Sequence, residues 1–310
     1  MEKVCLLLST YNGEKYLQEQ LDSIFSQQNV DVLLVVRDDG SRDNTLDILR
    51  YNIEDGKNII MPSELNGYHC ANGVGSSYMQ LLCYALNNYK TYNYFGFADQ
   101  DDVWLPQKVK KAISMLDKKN NPSKLYFSKK TIVDENLHVC GEDVVRFQNN
   151  LCDYLSTNDA FGCTMVFSKK LAEIVLSYQD ILQMPFYHDI DVFNIAAVSA
   201  TDIVLDNNSY ILYRQHGDND AGVNTKTLIS WKNIKKIFKP RKHYTKKFTK
   251  MLLSCYSKWI RQDAKELLEV INSKRSLKTS LYLLRYYYRN SNRSIKDNLK
   301  FTGEIVLNGL

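Results

Sequence analysis

The chain has no apolar run near the roughly 20 residues that a membrane-spanning helix needs. Its strongest runs, Val4-Cys5-Leu6-Leu7-Leu8 and Val32-Leu33-Leu34-Val35-Val36, are strand-length. The N-terminus lacks the basic, apolar and small-residue zones of a secretory signal. Five prolines and 13 glycines in 310 residues leave no low-complexity linker and no collagen-like repeat. Seven cysteines, an odd number without a C-x-x-C pair, argue against a disulfide framework and a zinc ribbon. A reduced, cytoplasmic interior is the expectation. Hydrophobic residues at 44% and charged residues at 24% exclude disorder as the default state.

Each part of the chain is also short of one charge sign. Residues 226–310 carry 21 Lys and Arg against 5 Asp and Glu, whereas residues 1–225 carry 19 against 30. A net +5 thus conceals an acidic body at −11 and a basic tail at +16, which must meet different partners. A boundary is expected near residue 225. Beyond Trp231, basic and bulky apolar residues alternate through Phe238 and Lys239, and helical periodicity follows. Such a tail suits an anionic membrane surface, or a helical appendage with solvated lysines. The acidic body argues against a nucleic-acid enzyme.

What is present in the body is alternation. Val4–Ser9 predicts a strand buried on both faces, and Leu17, Leu21, Ile24 and Phe25 recur at helical spacing. Val32–Val36 predicts a second strand, with a helix after Ser41-Arg42-Asp43. Asn58–Met61, Ser76–Tyr89 and Tyr94–Ala98 predict strand, helix and strand. Lys124–Ile132, Gly162–Phe167 and Tyr210–Tyr213 read as β, and His188–Ser199 as a helix. This order predicts an α/β fold with ligands at the carboxyl ends of its strands. The polar clusters Ser9-Thr10-Tyr11-Asn12-Gly13, Asp38-Asp39-Gly40-Ser41 and Asp99-Gln100-Asp101-Asp102 then open onto one edge of the sheet.

Asp99-Gln100-Asp101-Asp102 is the sharpest of these. Three carboxylates in four residues repel one another, and a hard divalent cation such as Mg²⁺ or Mn²⁺ relieves the repulsion. The competing reading is a solvated acidic turn before a helix started by Pro106. Val103 at the fifth position excludes an EF-hand. A phosphohydrolase using Asp99 stays open, as does a non-catalytic, ligand-binding scaffold at a membrane. Asp38-Asp39-Gly40-Ser41 is either a turn or an acceptor for a base or ribose donor. Tyr11 belongs to a loop or stacks on a base. Gly73-Val74-Gly75 fails as a dinucleotide loop because Tyr78 occupies the sixth position. Asp189 in Tyr187-His188-Asp189-Ile190-Asp191 is a helix cap or a general base. Tyr213-Arg214-Gln215-His216-Gly217 offers a guanidinium and an imidazole suited to phosphate.

In this order the motifs resemble bacterial family 2 glycosyltransferases, the inverting, nucleotide-sugar-dependent class. The branch they resemble is rhamnosyltransferase-like and serves cell-surface polysaccharide assembly. The likeness rests on Leu8–Gly13, Arg37–Thr45, Phe97–Pro106, His188-Asp189 and Tyr213–Gly217, and covers roughly residues 3–225. It implies a GT-A-type mixed sheet flanked by helices, with a basic helical extension at 226–310. It implies that Thr10, Tyr11, Asp39, Asp99 and Arg214 hold a UDP- or dTDP-sugar donor. It further implies Asp101 and His216 at a Mn²⁺ or Mg²⁺ ion and Asp189 as catalytic base. A hexose (rhamnose, galactose or glucose) would pass to an oligosaccharide or lipid-linked saccharide at the inner face of the cell membrane. Two departures stand out: an irregular Asn66-Gly67 to Asn72-Gly73 segment, and Ile190-Asp191 where an aromatic pair often follows His-Asp.

Overall fold

The structure is a computed structural model describing residues 1–65, 74–143, 145, 151, 160–183, 187–217, 242–274 and 276–290. Strands β1 (Glu2–Thr10), β2 (Val30–Asp38), β3 (Ile59–Ile60) and β4 (Tyr94–Ala98) alternate with helices α1 (Leu17–Phe25), α2 (Thr45–Glu54) and α3 (Val74–Asn88). Then come β5 (Val103–Trp104), α4 (Lys108–Asp117), β6 (Lys124–Val133), β7 (Val139–Glu142), β8 (Val166–Ser168), α5 (Lys169–Val175), α6 (His188–Val198) and β9 (Asp202–Arg214). The sheet runs β3-β2-β1-β4-β8-β6-β9-β5, with β7 paired to β6. The first four strands are mutually parallel, whereas β8 is antiparallel to both β4 and β6.

The apolar runs go where their continuity predicts. Val4 to Leu8 are fully buried, as are Leu34 to Val36, because helices cover both faces of a parallel sheet. Burial of each such side chain contributes about 1.5–3 kcal/mol. On α1, Leu17, Leu21 and Ile24 form the inward stripe, fully buried. Register then aligns the polar ends: Thr10 pairs with Asp38, and Leu8 with Ala98. Three acidic or polar loops therefore leave the sheet at one edge.

β9 is longer than the expected Tyr210–Tyr213. It follows β6 in parallel over most of its 13 residues, with two register shifts. The polar run Asp206-Asn207-Asn208 hides the strand period, but Asp206 is buried and accepts from the Asn208 backbone N–H and from the Tyr126 hydroxyl. The acidic turn after β4 is followed first by β5, which pairs with β9, and only then by α4 at Lys108.

The chain divides into two compact units. One comprises residues 1–145, 160–196 and 201–220; the other comprises 146–159, 197–200 and 221–310. In the second, helices α7 (Lys242–Cys255), α8 (Gln262–Asn272) and α9 (Leu277–Asn290) bury Phe248, Leu252, Tyr256, Leu267, Leu268 and Leu283. The expected 225/226 boundary and the Trp231–Lys239 segment lie outside the described residues, as does Asn66–Gly73. No helix among the described residues is long and apolar enough to cross a membrane.

Candidate active site

The loops after β1 and β2 are stitched together by a ladder of short-range donors. Asn12 N–H donates to Ser41 Oγ (2.9 Å), Gly13 N–H to Thr45 Oγ1 (2.7 Å) and Glu14 N–H to Asp43 Oδ2 (3.0 Å). In return, Arg42 N–H donates to Asn12 Oδ1 (2.9 Å) and Asn44 N–H to Glu14 Oε2 (3.0 Å). Asn12 takes a left-handed φ of 47°, which asparagine tolerates. The stretch from Ser41 to Thr45 thus works as a frame for its neighbour loop.

Within that frame both acids of β2's end are occupied by protein donors. Asp38, 1% exposed, accepts from the backbone N–H groups of Gly40 (3.0 Å) and Ser41 (2.9 Å) and from the hydroxyls of Thr10 (3.0 Å) and Ser41 (2.5 Å). Thr10, also 1% exposed, has its hydroxyl turned inward to Asp38. Asp39 accepts from Arg37 Nε at 2.6 Å in a buried ion pair, from Ser77 Oγ at 2.8 Å and from Ser9 Oγ at 3.2 Å. Tyr11, by contrast, is exposed. Its main chain is clasped by Gln100: Tyr11 N–H donates to Gln100 Oε1 (3.0 Å), and Gln100 Nε2 donates to the Tyr11 carbonyl (3.1 Å). A Cβ at Gly13 would lie 2.5 Å from Gln100 Oε1, so the glycine leaves room for the clasp.

The acids after β4 live differently. Asp99 accepts from the Tyr78 hydroxyl at 3.2 Å. Burial, then the charges of Asp101 and Asp189, push its carboxyl up to about 7. Asp102 is fully buried; its Oδ1 accepts from the Arg214 backbone N–H (3.1 Å) and its Oδ2 has no hydrogen-bond partner. Burial, with Asp99 and Asp101 beside it, raises its carboxyl well above the carboxylate range. Asp101 Oδ2 meets His216 Nε2 at 2.8 Å, both side chains keeping some exposure. Beneath them Lys108 is fully buried, its ammonium 3.4 Å from the centre of the Trp104 ring. The fully buried Cys163 thiol sits with Asp99 and Asp102, the ligand atoms of the three within 4.8 Å of one another.

Asp189 stands in the first turn of α6, where the Ile190 N–H donates to its Oδ1 at 2.7 Å. Its charge acts on Asp99 and on Asp191. The adjacent His188 is stacked on Tyr78, with ring centroids 3.9 Å apart, and lies edge-on to Phe97. Burial pulls His188 down to about 4, so the ring is neutral near pH 7. Tyr78 therefore joins two elements, holding Asp99 with its hydroxyl and His188 with its ring. The preceding residue, Ser77, holds Asp39.

The charges of Asp101 and Asp189 thus both act on Asp99, His216 contacts Asp101, and Asp39 is tied by Ser77 to the helix that carries Tyr78. Arg214 sits elsewhere in the assembly. Its guanidinium, 2% exposed, donates to the carbonyls of Asp101 (2.8 Å) and Glu135 (2.6 Å), pairs with Glu19 and lies over the Tyr16 ring. It braces the loop behind Asp101 instead of facing outward toward a diphosphate. Gln100, Ser77, Tyr78 and Lys108 were not singled out from the sequence. For Gln100 the signal was its place inside the acidic motif; for a serine and tyrosine in mid-pattern on α3 there was none.

Comparisons with known proteins bear on the family and the fold. Residues 5–175 match the family model "Glycosyl transferase family 2". A "dTDP-rhamnosyl transferase RfbG" of Shigella flexneri is 30% identical over 258 residues, spanning 79% of this chain and 83% of the relative. A "UDP-Glc:alpha-D-GlcNAc-diphosphoundecaprenol beta-1,3-glucosyltransferase WfgD" of Escherichia coli is 27% identical over 191 residues, 61% of this chain and 67% of the relative. In fold, the crystal structure of S. aureus TarS 1-349 in complex with UDP-GlcNAc superposes with a TM-score of 0.57 at 17% identity, covering 96% of this chain and 78% of that one. The curled mixed sheet with flanking helices is of the GT-A type. The phosphohydrolase and scaffold readings find no support in these relatives. With more than half of its length matched by the family model, the chain belongs to glycosyl transferase family 2.

Proposed function

We propose that this glycosyltransferase moves a hexose from a nucleotide-sugar donor to a saccharide acceptor in cell-surface polysaccharide synthesis, with inversion at the anomeric carbon. What supports the reading is that the charges of Asp101 and of Asp189, from two distant segments, both act on Asp99, at the edge where the β1, β2 and β4 loops converge. A dTDP-rhamnosyl relative favours rhamnose as the sugar. The undecaprenol-linked acceptor in the name of a second relative favours a lipid-linked saccharide here as well, which would place the work at the inner membrane face.

The donor set fits a divalent cation. Asp101 and His216 are joined and partly open, and Asp99 is held beside them with its charge disfavoured, a cost that a cation offsets. Asp101, His216 and Asp99 are the residues that would hold Mn²⁺ or Mg²⁺, and such an ion supplies positive charge to the departing diphosphate. The chain's own parts do the remainder. Tyr11, exposed and clasped by Gln100, offers a ring for the base, and Asp39 bounds the donor cleft from β2's end. Arg214 holds the Asp101 main chain in place. Asp189 accepts the acceptor hydroxyl's proton as its oxygen attacks. One displacement inverts the centre, so no sugar–enzyme bond forms.

The test is transfer from a panel of dTDP- and UDP-sugars to a diphospholipid acceptor analogue, with divalent cation added or chelated. Asp101→Ala and Asp189→Ala should each lower turnover by about 10³-fold or more. Only Asp101→Ala should also remove the cation dependence of donor binding. Full turnover in either variant refutes the role given to that residue.

A further inference from the structure

Among the described residues, α9 carries an exposed face. Leu277 is 78% exposed, Leu281 56% and Tyr282 42%. Lys278 and Arg285 are exposed beside them, while Leu283 on the other side of the helix is 3% exposed. Positions 277, 281 and 285, with 278 and 282 alongside, recur every fourth residue and form one stripe along about 12 Å of helix. Contiguous exposed apolar residues of this kind mark a candidate interaction surface. α9 contains no Asp or Glu, and basic residues outnumber acidic ones 21 to 5 over residues 226–310.

We infer that this stripe is a lipid-docking surface, laid flat on an anionic membrane. The chemistry matches element by element. Two leucines enter the acyl boundary, a tyrosine sits at headgroup level with its hydroxyl in water, and Lys278 and Arg285 meet lipid phosphates. A second copy docked tail to tail is the poorer occupant, because each tail bears the same +16 excess and the two would repel. The inference rests on the proposed lipid-linked acceptor for its purpose, but it stands on the exposed stripe and its charge.

The experiment is co-sedimentation of the full chain with vesicles of phosphatidylcholine alone and with phosphatidylglycerol added. Binding should require the anionic lipid and weaken as salt rises. Two double variants separate the contributions. Leu277→Ser with Leu281→Ser keeps the charge, and Lys278→Gln with Arg285→Gln keeps the leucines; each should lower vesicle partitioning about tenfold. Neither should change transfer to a water-soluble acceptor analogue, which keeps this test apart from that of the catalytic reading and confirms folding. Undiminished vesicle binding by the leucine variant overturns the surface, as does equal binding to neutral vesicles. So does self-association of the wild type that the leucine variant abolishes, since the stripe would then join two copies.

Discussion

Two acidic loops lie side by side at the sheet edge and look alike in sequence, yet they are built to opposite rules. After β2, Asp38 and Asp39 receive at least seven donors between them among the described residues, from Thr10, Ser41, Gly40, Arg37, Ser77 and Ser9. After β4, Asp99 is raised by burial and by the charges of Asp101 and Asp189, Asp102 by burial and by the charges of Asp99 and Asp101, and Asp102 Oδ2 has no hydrogen-bond partner. The first loop spends its carboxylates on architecture. In the second, Asp99 and Asp102 are crowded by like charges and Asp102 is short of a donor, a state that costs stability and that a ligand of opposite charge offsets. An acidic motif thus marks chemistry through the company its oxygens lack.

The largest expected contrast is between activity and stability. Asp101→Asn should reduce transfer by about 10³-fold or more while leaving the thermal midpoint unchanged or higher. Asp38→Ala should do the reverse. Removing an acceptor buried under four donors leaves Thr10, Ser41 and Gly40 unsatisfied, at about 3 kcal/mol, read by denaturant unfolding. Should Asp38→Ala unfold like the wild type, the architectural role of the first loop falls. Next in size is Asp99→Asn in chelator. The Asp99 carboxyl is raised above its unfolded value, so its contribution is present at low pH and lost as pH climbs through about 7. The amide keeps an acceptor for Tyr78 and should raise stability by about 2 kcal/mol above that pH. Near pH 4 the gain should vanish. An unchanged difference across that window would mean that no charge repulsion was relieved.

Much of this was legible in the residues. Continuous apolar runs such as Val4–Leu8 could only be buried strands, and three polar clusters after such runs had to share an edge, because parallel strands end on the same side. The acidic motif announced itself by density. What could not be seen was how each oxygen is used. Arg214 lies in a polar motif and reads as a phosphate ligand, but its long side chain reaches back to the Asp101 and Glu135 carbonyls, contacts spanning 113 and 79 residues. Thr10's inward hydroxyl depends on strand register, which pairs it with Asp38. Ser77 and Tyr78 are ordinary positions on a helix until the fold sets that helix against β1 and β4. Such long-range, side-chain-specific contacts leave no periodic trace. The length of β9 was hidden for a related reason, since Asp206 is satisfied by Asn208 beside it and by the distant Tyr126 hydroxyl, and so carries polarity into a buried strand.

The smallest effect probes what lies under the crowded loop. Lys108 is fully buried, and burial outweighs the pull of Cys163, Asp102 and Asp99, drawing its ammonium down to about 8. Below that pH the residue is charged in both folded and unfolded states, and the burial cost is felt in full. Between about 8 and the ordinary lysine value of 10.5 the unfolded chain holds a proton that the folded chain has released. Stability from this group therefore rises with pH across that window, by about 1 kcal/mol per pH unit. Lys108→Met keeps the contact with the Trp104 ring apolar and removes the titration. The difference in unfolding free energy between wild type and variant should accordingly tilt by that amount between pH 8 and 10 and be level below 7. A level difference throughout would mean that the ammonium reaches solvent, and the contrast between a satisfied loop and a strained one would then stop at the carboxylates themselves.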